Sequence, residues 1–232
     1  MNHEEIIDDF NKRSSEYDKI IHEVIAYYDT MIKNMGFFMP FRREDEIKVL
    51  DLGCGTGNTS KMILEFFPNA SIDAYDLAIN SVNTYNKRFE DYNAHACIGD
   101  LRDEAIYKAD YYDCVVSSLA IHHLPTDKEK YSVYKNSFKT LKPNGYISIG
   151  ENVAGSSVRL TKLYESMWLD YMRDNGLNEN AVQQYYDEYF EKDSPISMMK
   201  QLSMMSDIGF SEIDCMWKYS FYAVFGGMKP LQ

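Results

Sequence analysis

Short apolar segments alternate with longer amphipathic segments over the first two thirds of the chain. The apolar segments predict five strands, at residues 48–52, 71–76, 94–100, 111–121 and 146–151. Between them, apolar positions recur every three or four residues, which is the period of a helix. Strands and helices that alternate at this spacing predict a parallel sheet covered by helices on both faces. The helix before the fifth strand is predicted to end at residues 143–145, Pro-Asn-Gly, which is stop chemistry for a helix.

Three glycines at alternate positions, Gly53, Gly55 and Gly57, follow the first strand. Each glycine costs conformational entropy, so the pattern indicates backbone with positive φ or a close approach to another group. In a parallel sheet the ligand site lies beyond the carboxyl ends of the strands, where this turn falls. A dinucleotide fingerprint would need glycine at Asn58, and no Gly-Lys-Ser/Thr sequence follows. The turn therefore favours a nucleoside with a zwitterionic tail over a pyrophosphate.

Carboxylates stand at the ends of three successive predicted strands. Asp51 precedes the glycine turn, Asp76 closes the second strand and Asp100 closes the third. The spacing of Asp76 from the glycines suits a carboxylate that accepts hydrogen bonds from ribose hydroxyls. Asp100 is placed to accept from an adenine amino group. Each of these residues alone could equally be a helix N-cap or a solvated turn, and their combination favours a nucleoside site.

Charge and cysteine content exclude several classes of function. The chain has 24 Lys and Arg against 36 Asp and Glu, a formal net charge of -12, and no long basic run, so we expect no nucleic-acid partner. Cys54, Cys97 and Cys114 lie in or beside predicted strands and are expected to be buried thiols, which fits a reducing compartment. No segment has the length of a signal peptide or a membrane span. We expect a soluble cytoplasmic protein.

Several of these motifs occur together in a known family. The segments VLDLGCGTG, YD at 75–76, GD at 99–100, SSLAIHHL and LKPNGYISIGE resemble the class I S-adenosylmethionine-dependent methyltransferases. The resemblance implies a single α/β domain over residues 1–232, with a Rossmann-like, doubly wound, seven-stranded sheet whose last strand is antiparallel. Segments 212–219 and 220–229 would form the closing hairpin, after a helical insert at 152–200. The implied cofactor is S-adenosyl-L-methionine, and the implied partner is a small-molecule methyl acceptor.

The resemblance also assigns individual residues. It implies that Gly53 and Gly55 border the methionine part of the cofactor and that Asp76 holds the ribose. It further implies that Tyr17 lies over the cofactor, that Asp100 and Leu101 contact the adenine, and that Ser118 lines the floor of the site. The complete implied cofactor-binding set is Tyr17, Asp51, Gly53, Gly55, Gly57, Asp76, Leu77, Asp100, Leu101 and Ser118.

Three residues at predicted strand ends are candidates for a catalytic base: His122, His123 and Glu151. An unperturbed imidazole titrates near neutral pH, at about 6.5, and can accept a proton from a methyl acceptor. The alternative is that the paired histidines only shape their loop. No metal-ligand cluster is evident from the spacing, and we expect no metal, although these three side chains could be assembled into one.

The insert at residues 152–200 is expected to determine the substrate. Tyr164 and Trp168 share one helical face, and Tyr186 belongs to a second aromatic group. One interpretation is a lid in which these three residues contact the acceptor. The other is a helical pair that packs on the core or on a second subunit, which would make the protein a homodimer.

A more specific resemblance leaves other activities open. Segments 167–190 and 221–226 resemble the branch of the family that holds the carboxy-S-adenosylmethionine synthases, which use an arginine in the insert to pair with the extra carboxylate. Residues 183–186 of this chain read Gln-Gln-Tyr-Tyr, so ordinary methyl transfer is favoured and synthase activity is the alternative. A cofactor-binding subunit without catalysis is a further alternative. A nicotinamide oxidoreductase is disfavoured by Asn58.

Overall fold

The fold was analysed in a computed structural model, which describes residues 20–231. Its centre is one seven-stranded sheet in the order β3-β2-β1-β4-β5-β7-β6. The strands are β1 (Lys48–Leu52), β2 (Ser71–Asp76), β3 (Ala94–Ile98), β4 (Tyr112–Ser118), β5 (Leu141–Asn152), β6 (Ser211–Tyr219) and β7 (Tyr222–Met228). Strands β1 to β5 are parallel, and β7 runs antiparallel between β5 and β6. The predicted sheet and its closing hairpin are confirmed.

Helices cover both faces of this sheet. They are α1 (Tyr28–Phe37), α2 (Asn58–Phe66), α3 (Ile79–Arg88), α4 (Asp127–Thr140), α5 (Val158–Asp174), α6 (Glu179–Lys192) and α7 (Met198–Ile208). Side chains alternate across a strand, so Val49 of β1 joins the buried cluster that α1 and α2 cover. Its neighbour Leu50 joins the opposite cluster, beneath α4 and α7. Both faces of the sheet are therefore buried at its centre, as the apolar strands predict.

The boundary between α4 and β5 differs from the prediction. The helix begins with a capping box between Thr126 and Glu129 and ends at Thr140, and the strand starts at the next residue. Residues 143–145 therefore lie within the strand. The pairing of β5 with β4 is irregular there, because Leu141 pairs with Tyr112 and regular pairing resumes at Tyr146. A strand tolerates proline at such an irregularity, where no ladder hydrogen bond is lost.

The cysteine prediction is correct for two residues and wrong for one. Cys54 and Cys114 are buried, but Cys97 is exposed. Cys97 lies on β3, the edge strand of the sheet, where one face is not covered. Among residues 20–231, no helix is both long enough and apolar enough to cross a membrane.

Candidate cofactor and acceptor site

A cavity of about 500 Å³ lies at the carboxyl ends of the parallel strands, beneath α5 and α6. Most of the residues predicted to form the site line it: Gly53, Gly55, Asp76, Leu77, Asp100, Leu101, Ser118, His122, His123 and Trp168. Five others do not line it: Asp51, Gly57, Glu151, Tyr164 and Tyr186. Tyr17 lies outside the described residues. Ten of the predicted site residues thus line one cavity, and their binding roles stay predictions.

The three glycines of the turn all have positive φ, 71° at Gly53, 52° at Gly55 and 94° at Gly57, but for different reasons. A Cβ on Gly53 would lie 2.4 Å from the Cβ of Ala120, and one on Gly57 would lie 2.3 Å from the ring of Phe89. These two glycines are required for packing within the fold. A Cβ on Gly55 would meet nothing within 4 Å. Gly55 is therefore the glycine whose missing side chain leaves room in the cavity.

Asp76 fixes the shape of the turn from the end of β2. One of its carboxylate oxygens accepts the N–H of Gly55 and the other accepts the N–H of Ala78, each at 2.9 Å. Burial raises the pKa of Asp76, and these backbone donors partly oppose the shift. A carboxylate oxygen can accept more than one hydrogen bond, so both oxygens keep capacity for a pair of hydroxyl groups. The predicted ribose role fits this geometry.

Asp51 lies fully buried beneath the turn rather than on the cavity wall. Ser60 Oγ donates to Asp51 Oδ2 at 2.6 Å, and Tyr85 donates in turn to Ser60. Asp51 Oδ1 has no hydrogen-bond partner among the described residues. Burial raises the pKa of Asp51 from 3.8 to about 7. A positive charge near the turn would offset the cost of ionising this buried carboxyl group.

Asp100 has a partner that the sequence analysis missed. The guanidinium of Arg102 contacts both oxygens of the Asp100 carboxylate, with Nε 2.9 Å from Oδ1 and 3.0 Å from Oδ2. The backbone N–H of Arg102 also donates to Asp100 Oδ1 at 2.8 Å. The carboxylate is thus held in one orientation at the cavity wall. Its predicted contact with the adenine would share oxygens that Arg102 already uses.

Glu151 is placed differently from the prediction that it faces the cavity. Strand β5 extends one residue past it, so Glu151 is inside the sheet and 1% exposed. Its carboxylate binds Nδ1 of His122 and accepts the backbone N–H of His122 at 3.2 Å. Glu151 therefore acts on the site through His122, and the imidazole itself lines the cavity.

A second carboxylate near the histidines, Asp193, was not predicted. Asp193 Oδ2 lies 3.6 Å from His122 Nε2, and Asp193 Oδ1 lies 3.0 Å from His123 Nδ1. Burial disfavours a charge on His122, but the carboxylates of Glu151 and Asp193 outweigh it and raise the pKa of His122. Burial likewise opposes a charge on Asp193, yet the two histidines lower its pKa. The backbone N–H of Ser194 donates to the carbonyl of His122 at 2.9 Å and holds the two segments together.

The insert contributes an aromatic wall to the cavity, formed by Trp168, Tyr185 and Tyr189. Tyr185 and Tyr189 are four residues apart and share one face of α6, whereas Tyr186 points to another face. Tyr186 packs on Phe190, with ring centroids 4.8 Å apart. Tyr164 packs instead on Phe221, under the ammonium of Lys218, so neither it nor Tyr186 is part of the wall.

Helix α5 is tied to the chain segment that precedes α1. Trp168 Nε1 donates to the carbonyl of Val24, and the Tyr171 hydroxyl donates to the carbonyl of His22, both at 2.8 Å. The side chains of Ile21 and Val24 line the cavity from this segment. The insert and the N-terminal segment therefore cover the cavity as one layer.

This strand order, with a glycine turn after β1 and carboxylates after β2 and β3, is the architecture of a Rossmann-like methyltransferase. Residues 49–145 match the sequence model of the methyltransferase domain family. The resemblance of the chain to the S-adenosylmethionine-dependent methyltransferases is therefore confirmed over residues 49–145, and the cofactor that this domain implies is S-adenosylmethionine.

Relatives with curated names fall into two groups. The carboxy-S-adenosyl-L-methionine synthase of Nautilia profundicola is 22% identical over 95% of this chain and 98% of its own length. The malonyl-[acyl-carrier protein] O-methyltransferase of Priestia megaterium is 26% identical over 59% of this chain, which covers 47% of that protein. Among solved structures, the complex of the Haloferax volcanii Trm112 methyltransferase activator with a methyltransferase matches with a TM-score of 0.69 at 12% identity, over 96% of this chain and 98% of that one. The structural match concerns the fold alone.

Proposed function

We propose that the protein transfers the methyl group of S-adenosylmethionine to a small-molecule acceptor bound between the glycine turn and helices α5 and α6. The observation that carries this proposal is the single cavity. Gly55, Asp76 and Asp100 line it from the ends of the strands and suit a nucleoside. Trp168 and Tyr185 line it from α5 and α6 and suit a small organic acceptor. Cofactor and acceptor would therefore meet inside one cavity.

The chemistry requires little from the protein beyond positioning and exclusion of water. When bound, S-adenosylmethionine supplies a methyl group already activated by its sulfonium centre. The side chain of Asp76 and the turn at Gly55 would fix the cofactor, and the aromatic wall would align the acceptor on the far side. Holding two reactants in line can supply about 7–11 kcal/mol of the barrier reduction. Closure of α5 and α6 would keep water from the reacting atoms.

The histidine–carboxylate cluster lies in the wall shared by the two halves of the cavity. His122, His123 and Asp193 all line it. An acceptor that loses a proton during transfer would release it at this position. We propose that this cluster, with Glu151 behind it, carries the acid–base chemistry predicted for the strand ends.

The insert is proposed to act as a lid rather than as a subunit interface. Trp168, Tyr185 and Tyr189 line the cavity, and hydrogen bonds from α5 join this helix to the segment before α1. A face already packed in this way within one chain leaves little of its aromatic surface for a second subunit. Among the aromatic residues at 152–200, Phe190 is the one that is exposed.

Synthesis of carboxy-S-adenosylmethionine is the second candidate. The relatives of that name match nearly the whole chain including the insert, whereas the O-methyltransferase relatives match little more than half of it. The cationic residues on the wall include Arg102, which is paired with Asp100, and Lys192, whose Nζ lies 3.7 Å from Glu188. A bidentate arginine for an extra carboxylate is absent from residues 183–186. Methyl transfer is therefore the function that the site supports better.

Mass spectrometry of the nucleoside that co-purifies with the protein distinguishes the two candidates. Methyl transfer predicts S-adenosylmethionine or S-adenosylhomocysteine, and a synthase predicts a nucleoside heavier by one carboxyl group. An acceptor screen would then follow the release of S-adenosylhomocysteine. If the protein binds S-adenosylmethionine but forms no S-adenosylhomocysteine with any fraction of small molecules, the proposal is wrong and a cofactor-binding subunit without catalysis is supported.

A further inference from the structure

His122, His123 and Asp193 form a compact group of potential metal ligands that the sequence analysis did not assemble. One donor atom from each of the three lies within 4.8 Å of the other two. The side chain of His122 is 6% exposed, that of Asp193 13% and that of His123 23%. The group therefore opens toward the cavity while most of its surface is removed from bulk water.

The separations between the donor atoms match those around a bound ion. Metal bonds of about 2.1 Å to nitrogen and oxygen place two ligand atoms about 3.0 Å apart at right angles and about 3.4 Å apart at tetrahedral angles. His123 Nδ1 and Asp193 Oδ1 are 3.0 Å apart, and His122 Nε2 and Asp193 Oδ2 are 3.6 Å apart. The two distances involve different oxygens of the Asp193 carboxylate, and a carboxylate can bind one ion through either or both of its oxygens.

A second and independent observation concerns the far nitrogen of His122. Glu151 binds Nδ1 of this imidazole, and Glu151 is itself held by the backbone N–H groups of His122 and Asn152, at 3.2 Å and 2.7 Å. In the neutral ring, a carboxylate on Nδ1 keeps the proton there and leaves the lone pair of Nε2 available to a metal ion, which would displace the second proton. Carboxylate–histidine–metal arrangements of this kind orient and strengthen histidine ligands in metal sites.

We infer that His122 Nε2, His123 Nδ1 and the Asp193 carboxylate bind one divalent transition-metal ion at the wall of the cavity. Two imidazoles and one carboxylate suit Zn²⁺, Fe²⁺, Mn²⁺ or Co²⁺ and disfavour Mg²⁺ and Ca²⁺, which prefer oxygen ligands. Three protein ligands leave coordination positions open, which is the arrangement of catalytic rather than structural sites.

His122, His123 and Asp193 all line the cavity, so the open positions would be accessible to an acceptor bound there. An acceptor hydroxyl bound to the ion would have a lower pKa, so the cluster would carry its proposed acid–base role through the ion. This consequence rests on the proposed function, and it predicts an acceptor whose oxygen can bind a metal ion. The metal site itself does not depend on methyl transfer and can be tested without cofactor or acceptor.

The test uses the full chain, treated with a chelator and titrated with Zn²⁺ by calorimetry and with Co²⁺ by visible absorption. The exposed Cys97 and His95 lie two residues apart on one face of β3 and could bind metal at the surface, so all measurements use the Cys97→Ser background. We expect one ion per chain. Asp193→Asn and His123→Ala should each weaken binding about 100-fold, and Glu151→Gln should weaken it about 10- to 100-fold.

His95→Ala is the matched control and should leave the affinity unchanged. Circular dichroism of each variant checks that it is folded. His123 and Asp193 are less buried than Glu151, so substitutions at these two residues should perturb the fold less. They still test the metal site if Glu151→Gln does not fold. Absence of stoichiometric binding in the parent protein would overturn the inference. Equal affinity in the parent, Asp193→Asn and His123→Ala would also overturn it, as would loss of binding in His95→Ala. Because no cofactor is present, failure here is distinguishable from failure of the proposed function.

Discussion

Replacing Gly55 by alanine tests the glycine turn directly, because the three glycines are there for different reasons. A Cβ at Gly55 would point into the cavity and meet nothing within 4 Å. A Cβ at Gly57 would instead lie 2.3 Å from the Phe89 ring and 2.9 Å from the Tyr85 ring. Gly55→Ala should therefore affect mainly the ligand, and Gly57→Ala, the matched control, mainly the fold.

The expected magnitudes follow from the backbone and from packing. Alanine in the left-handed region costs about 1–2 kcal/mol relative to glycine, which is the expected loss of stability in Gly55→Ala. The same substitution at Gly57 adds overpacking, which costs about 1–3 kcal/mol, so its total loss should be about 2–5 kcal/mol. A methyl group in the cofactor space should impose a similar overpacking cost on the complex, and Gly55→Ala should bind S-adenosylhomocysteine about 10- to 100-fold more weakly.

Urea denaturation and calorimetric titration with S-adenosylhomocysteine measure the two effects separately. We expect Gly55→Ala to lose affinity for S-adenosylhomocysteine about 10- to 100-fold and Gly57→Ala to lose more stability than Gly55→Ala. Wild-type affinity in Gly55→Ala would refute the assignment of this glycine to the cofactor. Equal stability of the two variants would refute the packing explanation for Gly57.

Three further predictions concern carboxylates and the lid. Asp76→Ala removes the acceptor of two backbone N–H groups, so it should lower stability by about 2 kcal/mol and weaken S-adenosylhomocysteine binding at least 10-fold. Asp76→Asn keeps one acceptor oxygen and should lose less stability in the same urea and calorimetry assays. Equal losses of stability in the two variants would contradict this explanation. The pKa of Asp51 is raised from 3.8 to about 7, so the folded state holds a proton that the unfolded chain releases above about pH 4. The free energy of unfolding should thus fall as pH rises from 4 to 7, and Asp51→Asn should remove up to about 4 kcal/mol of this fall. Parallel pH profiles of stability for the wild type and Asp51→Asn would exclude Asp51 as its source. Tyr185→Ala should reduce methyl transfer more than 10-fold with unchanged cofactor affinity and sedimentation, and Tyr186→Ala, which does not touch the cavity, should not; equal turnover in the two variants would count against the lid.

The parts of the fold that the sequence predicted well are those set by local pattern. Strands β1 and β2 have the predicted bounds, 48–52 and 71–76, because buried strands are short apolar runs between polar turns. The α4–β5 boundary was wrong because proline and glycine stop helices but also occur at strand irregularities. Only the pairing with β4, a distant segment, decides between these outcomes.

The parts of the site that were missed depend on contacts between distant segments. Asp193 follows α6, and nothing in the local pattern indicates that it meets His122 and His123. The one local signal is the Ser-Pro sequence that follows Asp193 at the end of α6, which indicates a change of chain direction there. Similarly, the choice of Tyr185 over Tyr186 for the cavity wall depends on how α6 rotates against the sheet, which the helical period does not specify.

The most direct test of the central claim is to incubate the protein with S-adenosylmethionine labelled in the transferred methyl group and a fractionated pool of small molecules. We expect the label to pass to a small-molecule fraction in step with the release of S-adenosylhomocysteine, and Asp76→Ala to transfer it at least 10-fold more slowly at limiting cofactor. Label that stays entirely in nucleosides, or becomes attached to protein or nucleic acid instead, would contradict the account.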